Sequence, residues 1–150
     1  MTSSGMLRNA ILTSVLFVVT FGCLCLNETP QDKFCASDVV GVFKIVEEFY
    51  QNETARIKYT TTPLSYFKFF DLTPPTTFSQ SVIVGTDNHA SACGVSWLKI
   101  GHSYLLNGRF NNVLQRMSVI SCDQIAAVDW SDVDAAIKTA LEHGDYKCSS

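Results

Sequence analysis

The stretch "CLCLNETPQDKFC", from Cys23 to Cys35, carries three cysteines in thirteen residues and decides the fold. It directly follows an apolar run, "AILTSVLFVVTF" (Ala10 to Phe21), which Arg8 precedes as a positive charge. A positive start, a short apolar run and a small residue before the cut are the features of a secretory signal peptide. We therefore predict a signal peptide over residues 1–22, cleavage after Gly22, and a mature chain that begins at Cys23.

The predicted mature chain, residues 23–150, is long enough to form one domain with its own core. All six cysteines of the sequence lie in it, and an even count behind a secretory signal favours three disulfides over free thiols. Fifteen pairings of six cysteines exist, and the spacing alone does not choose among them. The six are Cys23, Cys25, Cys35, Cys93, Cys122 and Cys148.

Charge and composition restrict the partners of the chain. Without Arg8, ten Lys and Arg remain against fourteen Asp and Glu, a net charge of −4 with no basic run. We therefore expect no nucleic-acid partner. After cleavage we expect no membrane contact, a monomer, and secretion to the extracellular space or matrix. Two Asn-x-Thr sequons, at Asn27 and Asn52, are candidate N-glycosylation sites.

Runs of β-branched and aromatic residues predict the strands. Val39–Tyr50 and Ala55–Thr62 are expected to form a hairpin around the turn "QNET", and Thr77–Gly85 a third strand. Two further segments, "SYLLNGRF" and "VLQRMSVISC", are expected to pair around a turn at Asn107-Gly108. Five short strands favour a mainly β fold, a small antiparallel barrel with helices outside it.

One helix is predicted over "SDVDAAIKTALEHG", with Ser131 as its N-cap and Gly144 as its end. Its apolar residues recur at helical spacing on one face, which predicts that this face packs on the core. These residues are Val133, Ile137, Ala140 and Leu141.

The spacing C-x-C-x9-C-x57-C-x28-C-x25-C, with cleavage directly before the first cysteine, resembles the N-terminal inhibitory domain of the tissue inhibitors of metalloproteinases (TIMPs). Five local sequences agree with this resemblance, which covers essentially all of residues 23–150: "FCASDVV", "ACGVSW", "YLLNGR", "SCDQI" and "DWSDV".

The resemblance implies a five-stranded OB-type barrel with flanking helices, also called a netrin-like (NTR) domain. It also implies three disulfides, each closing a loop of roughly 70 to 115 residues and contributing about 4 to 5 kcal/mol at most. The implied pairs are Cys23–Cys93, Cys25–Cys122 and Cys35–Cys148.

The resemblance further implies a secreted inhibitor of zinc metalloproteinases, of matrix metalloproteinase or adamalysin type. An α-amino group has a reference pKa near 8, so a neutral fraction exists at physiological pH. The amine and carbonyl of Cys23 can then bind the protease's catalytic zinc and displace its water. The chain itself is expected to need no cofactor.

Other residues near Cys23 are expected to extend the contact with the protease. Leu24 would enter the specificity pocket, where the family generally has threonine or serine, so we expect a shifted target preference. The other expected contacts are Cys25, Leu26, Ser91, Ala92 and Cys93. No second six-cysteine module follows Cys148, so we do not expect the functions of the family's C-terminal domain here.

Three other interpretations are an enzyme, a lipid-modified protein and a non-inhibitory binding module. An enzyme is disfavoured, because no H-E-x-x-H or G-x-S-x-G motif is present and the three histidines have no metal-ligand spacing. A lipid-modified Cys23 is disfavoured by the bulky Phe21 before the cut. The main alternative is a non-inhibitory netrin-like extracellular binding module, because a fold alone does not define a function.

Overall fold

The computed structural model describes residues 23–51, 56–70 and 81–149. Within these ranges the chain forms two helices and five strands, with short 3-10 turns at Ala90–Ala92 and Trp130–Asp132. Residues 1–22 lie outside the described ranges, so the signal peptide and the start of the domain at Cys23 stay predictions. The elements are α1 (Pro30–Ala36), β1 (Val39–Gln51), β2 (Arg56–Phe69), β3 (Val82–Asp87), β4 (Ser103–Asn111), β5 (Arg116–Ser118) and α2 (Ala135–His143).

The five strands close into one barrel in the order β1-β2-β3-β5-β4, with β4 returning to β1. Every neighbouring pair is antiparallel except β3 and β5, which run parallel. The predicted five-stranded OB-type barrel with flanking helices is therefore confirmed.

Strand β1 closes the barrel because it is long and bent. It pairs with β2 along its whole length and with β4 from Val39 to Lys44. Three register shifts interrupt its pairing with β2. An extra residue on one strand bends the ribbon and increases its twist, and a small barrel requires both.

The predicted end of β2 was wrong, because the strand continues through Pro63 to Phe69. A proline inside a strand is tolerated where its missing N–H removes no ladder bond, as at a bulge or an edge. Pro63 lies opposite Phe43 beside one of the register shifts, and β3 pairs with β2 only up to Thr61. Gln51, predicted as the first residue of the "QNET" turn, is the last residue of β1. The rest of this turn and residues 77–80 of the predicted third strand lie outside the described residues.

Residues 39–43 of β1 and residues 104–108 of β4 are buried on both faces. Val39 and Leu106 belong to a cluster inside the barrel, whereas their neighbours Val40 and Leu105 belong to a second cluster under the helices. Successive residues of a strand face opposite sides, so such strands need apolar residues at consecutive positions. The barrel cluster comprises Val39, Phe43, Ile45, Ile57, Tyr59, Val84, Val95, Leu98, Tyr104, Leu106, Met117 and Val119.

Helix α1 was not predicted from the sequence, although its start carries a capping box. The Thr29 hydroxyl accepts the N–H of Asp32 at 3.2 Å, and the Asp32 carboxylate accepts the N–H of Thr29 at 3.1 Å. Pro30 occupies the first turn, where its missing N–H costs nothing. The helix packs Phe34 into the outer cluster, with its ring centroid 5.4 Å from that of Tyr146.

Helix α2 begins later than predicted. Asp134 is its N-cap and accepts the N–H of Ala136 at 2.8 Å. Ser131 belongs to the preceding 3-10 turn, which Asp129 caps in the same way, and Val133 between them is extended. Because Asp129 and Asp134 each cap their own turn, the segment forms a 3-10 turn and then a separate helix, where one longer helix was predicted. Gly144 ends the helix as predicted.

The apolar face of α2 packs on the core as predicted. Val133 and Leu141 are each 4% exposed and belong to the outer cluster, with Ile137 packed against them. Neither described helix is long and apolar enough to cross a membrane.

The predicted turn at Asn107-Gly108 was wrong, because both residues lie inside β4 and the chain turns at residues 112–115. Asn107 is fully buried, and its amide donates to the Ser37 hydroxyl at 2.9 Å and to the Asp123 carbonyl at 2.6 Å. Its Oδ1 accepts the N–H of Ile125 at 2.9 Å. Asn107 therefore ties β4 to the segment after β5 and to the end of α1.

Gly108 is required by close packing rather than by a turn. A Cβ at this position would overlap the backbone carbonyl of Ser118 on the neighbouring strand. The Asn-Gly pair therefore combines a polar anchor with a close approach of two strands.

We predict that Asn107→Ala lowers the free energy of unfolding by at least about 3 kcal/mol, because buried partners of its side chain lose their hydrogen bonds. Asn112→Ala, an exposed asparagine beyond the same strand, should change it by less than about 0.5 kcal/mol. Urea unfolding with intact disulfides measures both. Equal stability of the two variants would contradict the anchoring role of Asn107.

Candidate functional site

The candidate site forms where the parallel strands β3 and β5 end. Ile83, Val84 and Gly85 pair with Arg116, Met117 and Ser118, and the ladder continues with a 3.0 Å bond from Val119 N–H to the Gly85 carbonyl. Parallel neighbours have their carboxyl ends at the same edge of a sheet. The segments that follow β3 and β5 therefore leave the barrel side by side, and these segments carry Cys93 and Cys122.

Two disulfides attach the N-terminal segment to this edge. Cys23 is bonded to Cys93 and Cys25 to Cys122, with Cα atoms 5.2 Å and 5.0 Å apart. The third disulfide, Cys35–Cys148, joins the end of α1 to the segment after α2. All three pairings expected from the family resemblance are confirmed.

The two N-terminal bridges are in contact with each other. Cys23 Sγ lies 3.1 Å from Cys122 Sγ, and Cys122 Sγ lies 3.6 Å from Cys93 Sγ. The Sγ atoms of Cys23, Cys93 and Cys122 lie within 4.8 Å of one another, which is close enough for three ligands of one metal ion. Each of these sulfur atoms, however, is part of a disulfide. Because metals bind the thiolate form, the cluster is a covalent anchor for the N-terminal segment.

The backbone at Cys93 adopts an uncommon conformation. Its φ is +57°, in the left-handed region that costs a residue with a Cβ on the order of 1 kcal/mol. The Ser121 N–H holds it by donating to the Cys93 carbonyl at 2.7 Å. At the next residue, Gly94, a Cβ would overlap the backbone carbonyl of Asp87. The disulfide, this hydrogen bond and close packing therefore fix the position of Cys93.

A tight turn presents the two residues before Cys93. The N–H groups of Ala92 and Gly94 both donate to the His89 carbonyl, at 3.0 Å and 3.2 Å. Beyond the turn, Val95 N–H donates to the Thr86 hydroxyl at 2.8 Å inside the barrel end. Ser91 and Ala92 are exposed as a result and lie next to the Cys23–Cys93 bridge.

Leu24 and Leu26 form an exposed apolar ridge on the anchored segment. Their side chains are 97% and 79% exposed, although each is adjacent in sequence to a bridged cysteine. Beside them is a groove of about 260 Å³. The groove is lined by Leu24, Cys25, Leu26, Glu28, Cys93, Ile120, Cys122 and Asp123.

The segment leaves the site through a turn into α1. Glu28 N–H donates to the Leu26 carbonyl at 3.0 Å, and the capping box at Thr29 follows directly. Asn27 of the first sequon is exposed in this turn. Asn52 of the second sequon lies outside the described residues, and glycosylation at both positions stays a prediction.

The structure brings four of the predicted contact residues together around one groove, with Ser91 and Ala92 beside the Cys93 bridge; the four are Leu24, Cys25, Leu26 and Cys93. Cys122, which was expected only as a disulfide partner, also lines the groove. The sequence analysis missed the other three lining residues, Glu28, Ile120 and Asp123. A signal was available for two of them, because Ile120 and Asp123 flank Cys122 closely in the sequence. Glu28 had no such signal before the turn at residues 26–28 was known.

The three histidines are exposed, and none of them lines the groove. His102 is hydrogen-bonded through Nδ1 to the Asp129 carboxylate at 2.8 Å. Donation from the Ser131 backbone N–H and from His102 lowers the pKa of Asp129 below its ordinary value. His102 thus supports the turn before α2.

Comparison with known proteins agrees with this architecture. A family model described as "Tissue inhibitor of metalloproteinase" matches residues 22–149. The chain is also similar to metalloproteinase inhibitor 3 of Xenopus laevis, with 30% identity over 90 residues. The aligned region covers 59% of this chain and 40% of that relative, so the chain spans less than half of its length. The match to the family model covers nearly all of the barrel, the three disulfides and both helices, and the chain belongs to the tissue inhibitor of metalloproteinase family.

Proposed function

We propose that this chain is a secreted inhibitor of zinc metalloproteinases, and that the edge carrying Cys23 is its inhibitory surface. The observation that carries the proposal is the combination of a doubly bridged segment with a fully exposed leucine. Cys23 and Cys25 are both bonded into the barrel, while Leu24 between them is 97% exposed. An apolar side chain held rigidly in solvent is suited to enter a pocket of another protein.

Family membership supports the class of partner. The family is one of metalloproteinase inhibitors, and the Xenopus laevis relative carries that name. The prediction that the chain is not an enzyme is confirmed by this membership. The type of protease, matrix metalloproteinase or adamalysin, is part of the proposal.

The proposed mechanism requires processing directly before Cys23. Its α-amine and carbonyl oxygen would then bind the catalytic zinc of the protease at the position of the attacking water. A zinc ion favours the neutral amine over the protonated one, just as it lowers the pKa of bound water. Because the chain begins at the metal, no peptide bond would lie there for the protease to cleave.

The disulfides support this mechanism by reducing the entropy lost on binding. A flexible terminus would lose conformational freedom on meeting the metal, at about 1 to 2 kcal/mol per backbone residue. In this chain two bridges, and the hydrogen bond from Ser121 to Cys93, already restrict the segment before a partner arrives. Pre-organisation of this kind raises affinity without adding a contact.

Leu24 is the residue proposed to determine selectivity. Burial of a leucine in an apolar pocket is worth about 1.5 to 3 kcal/mol, but the same side chain would clash in a shallow one. Leu26, Ser91 and Ala92 are exposed beside it and would enlarge the contact. We expect proteases with deep specificity pockets to be the favoured targets.

The main alternative is a non-inhibitory netrin-like module that binds an extracellular partner without touching a zinc site. The two functions differ at residue 23, because only inhibition requires a free amine there. N-terminal sequencing of the secreted protein, followed by titration against a panel of metalloproteinases, separates them. A mature chain that starts elsewhere, or starts at Cys23 and inhibits no member of the panel, would favour the alternative.

We predict that Leu24→Gly raises the inhibition constant by about tenfold to a hundredfold against a susceptible protease, because the buried apolar area is lost. Thermal unfolding should be unchanged, since the side chain contributes nothing to the core. Leu114→Gly, an exposed leucine in the turn after β4, is the matched control and should inhibit normally. Undiminished inhibition by Leu24→Gly would show that this side chain occupies no pocket.

We predict that one alanine inserted between Gly22 and Cys23, and retained in the mature protein, abolishes inhibition. The added residue moves the amine away from the metal and converts the nitrogen of Cys23 into an amide. One alanine added after Ser150 serves as the control of equal mass. Mass spectrometry verifies both termini, and full potency of the N-terminal variant would refute zinc binding through Cys23.

A further inference from the structure

A second surface lies on the outer face of the β4–β5 hairpin. Across this pair Arg109 is opposite Ser118, and Asn111 is opposite Arg116. The residues between them, Phe110 and Met117, face the barrel core. Because side chains alternate along a strand, the other four share the outward face. Together with Phe110, Asn112 and Val113 they line a groove of about 420 Å³.

The two arginines of this groove have no acidic partner among the described residues. Arg56, by contrast, pairs with Asp87 at 3.4 Å. No carboxylate lines the groove. Asp38, which contacts the hairpin, uses its carboxylate to accept the N–H of Phe110 at 3.0 Å. The groove therefore has two positive charges that form no salt bridge among the described residues, on a chain whose net charge is −3.

Neutral donors add to these charges. Asn111 Oδ1 accepts the N–H groups of Val113 and Leu114, at 3.1 Å and 2.9 Å. Since its oxygen is used in the turn, its NH₂ group is the part that can bind a ligand. Arg109 and Arg116 are diagonal neighbours, about 7 to 8 Å apart at Cα, so both guanidinium groups can reach one anionic group.

The tip of the hairpin indicates which class of anion fits. Val113 and Leu114 are 85% and 54% exposed directly beside the donors. A polysaccharide or an inorganic anion has no apolar side chains to cover these residues, whereas a polypeptide with alternating acidic and apolar residues does.

We propose that this groove binds an acidic, apolar segment of a protein partner. Arg109, Arg116 and the Asn111 amide take a carboxylate of the partner, and Val113 and Leu114 take its neighbouring apolar side chain. This groove shares no lining residue with the groove beside the Cys23 edge. Its occupation is therefore proposed as independent of protease inhibition.

The test measures binding of a fluorescein-labelled peptide of alternating glutamate and leucine to the purified chain by anisotropy. Arg109→Gln and Arg116→Gln should each weaken binding about fivefold, as expected for partly exposed ion pairs. The double variant should show the combined loss. Arg56→Gln removes an equal charge outside the groove and should bind as the parent does. Thermal unfolding verifies the fold of each variant.

Two further measurements identify the ligand class and the location. A peptide of alternating glutamate and serine should bind more weakly than the leucine peptide, and the variant with Val113→Ser and Leu114→Ser should lose this difference. In NMR spectra the Asn111 side-chain amide should shift on addition of the leucine peptide.

The proposal is overturned if the double arginine variant binds the peptide as tightly as the parent. It is also overturned if heparin binds through Arg109 and Arg116 while the leucine peptide does not, or if neither binds. None of these readouts involves a protease, so a failure here and a failure of the inhibitory function are distinguishable. The double arginine variant should inhibit metalloproteinases as the parent does.

Discussion

The parallel pairing of β3 with β5 is the constraint on which the rest of the molecule depends. It is the one parallel contact in a barrel that is otherwise antiparallel over the described residues. It brings the segments after both strands to one edge, where Cys93 and Cys122 become neighbours. Without this pairing, two cysteines only two positions apart in the N-terminal segment could not both reach their partners. The barrel topology therefore allows two disulfides to attach the N-terminal segment to the same edge of the barrel.

The two-sided burial of β1 and β4 gives this edge a rigid support. Each strand packs one face into the barrel and the other under the helices, so bending either strand would disturb two cores. Asn107 links β4 to the segment that carries Cys122, through bonds to Asp123 and Ile125. The segment that carries Cys122 is therefore tied to a buried strand, while Leu24 and Leu26 on the N-terminal segment stay exposed.

The barrel and the disulfide pairs were predicted correctly from the sequence. The errors lie where a local sequence pattern and the tertiary packing favour different structures. Alternation located the strands, and the cysteine spacing, through its resemblance to a family, identified the pairs. Asn107-Gly108 is a dipeptide typical of turns. In the structure both residues lie inside β4, where Asn107 is buried and Gly108 allows the neighbouring strand to approach closely. The second strand was similarly predicted to end before Pro63. The register shift that accommodates this proline depends on pairing with β1, which the local sequence does not indicate. The groove lining at Glu28 depended on a turn that no residue pattern indicated.

The separation of the disulfide partners has a consequence for biosynthesis. The three bridges span 70, 97 and 113 residues, and every pair begins with one of the first three cysteines. At a synthesis rate of roughly 5 to 20 residues per second, Cys23 waits several seconds for its partner to emerge. During that interval the nascent polypeptide presents three neighbouring thiols whose native partners are not yet synthesised. Any bond formed among these three thiols has to be broken again by thiol–disulfide exchange before the native pairs can form.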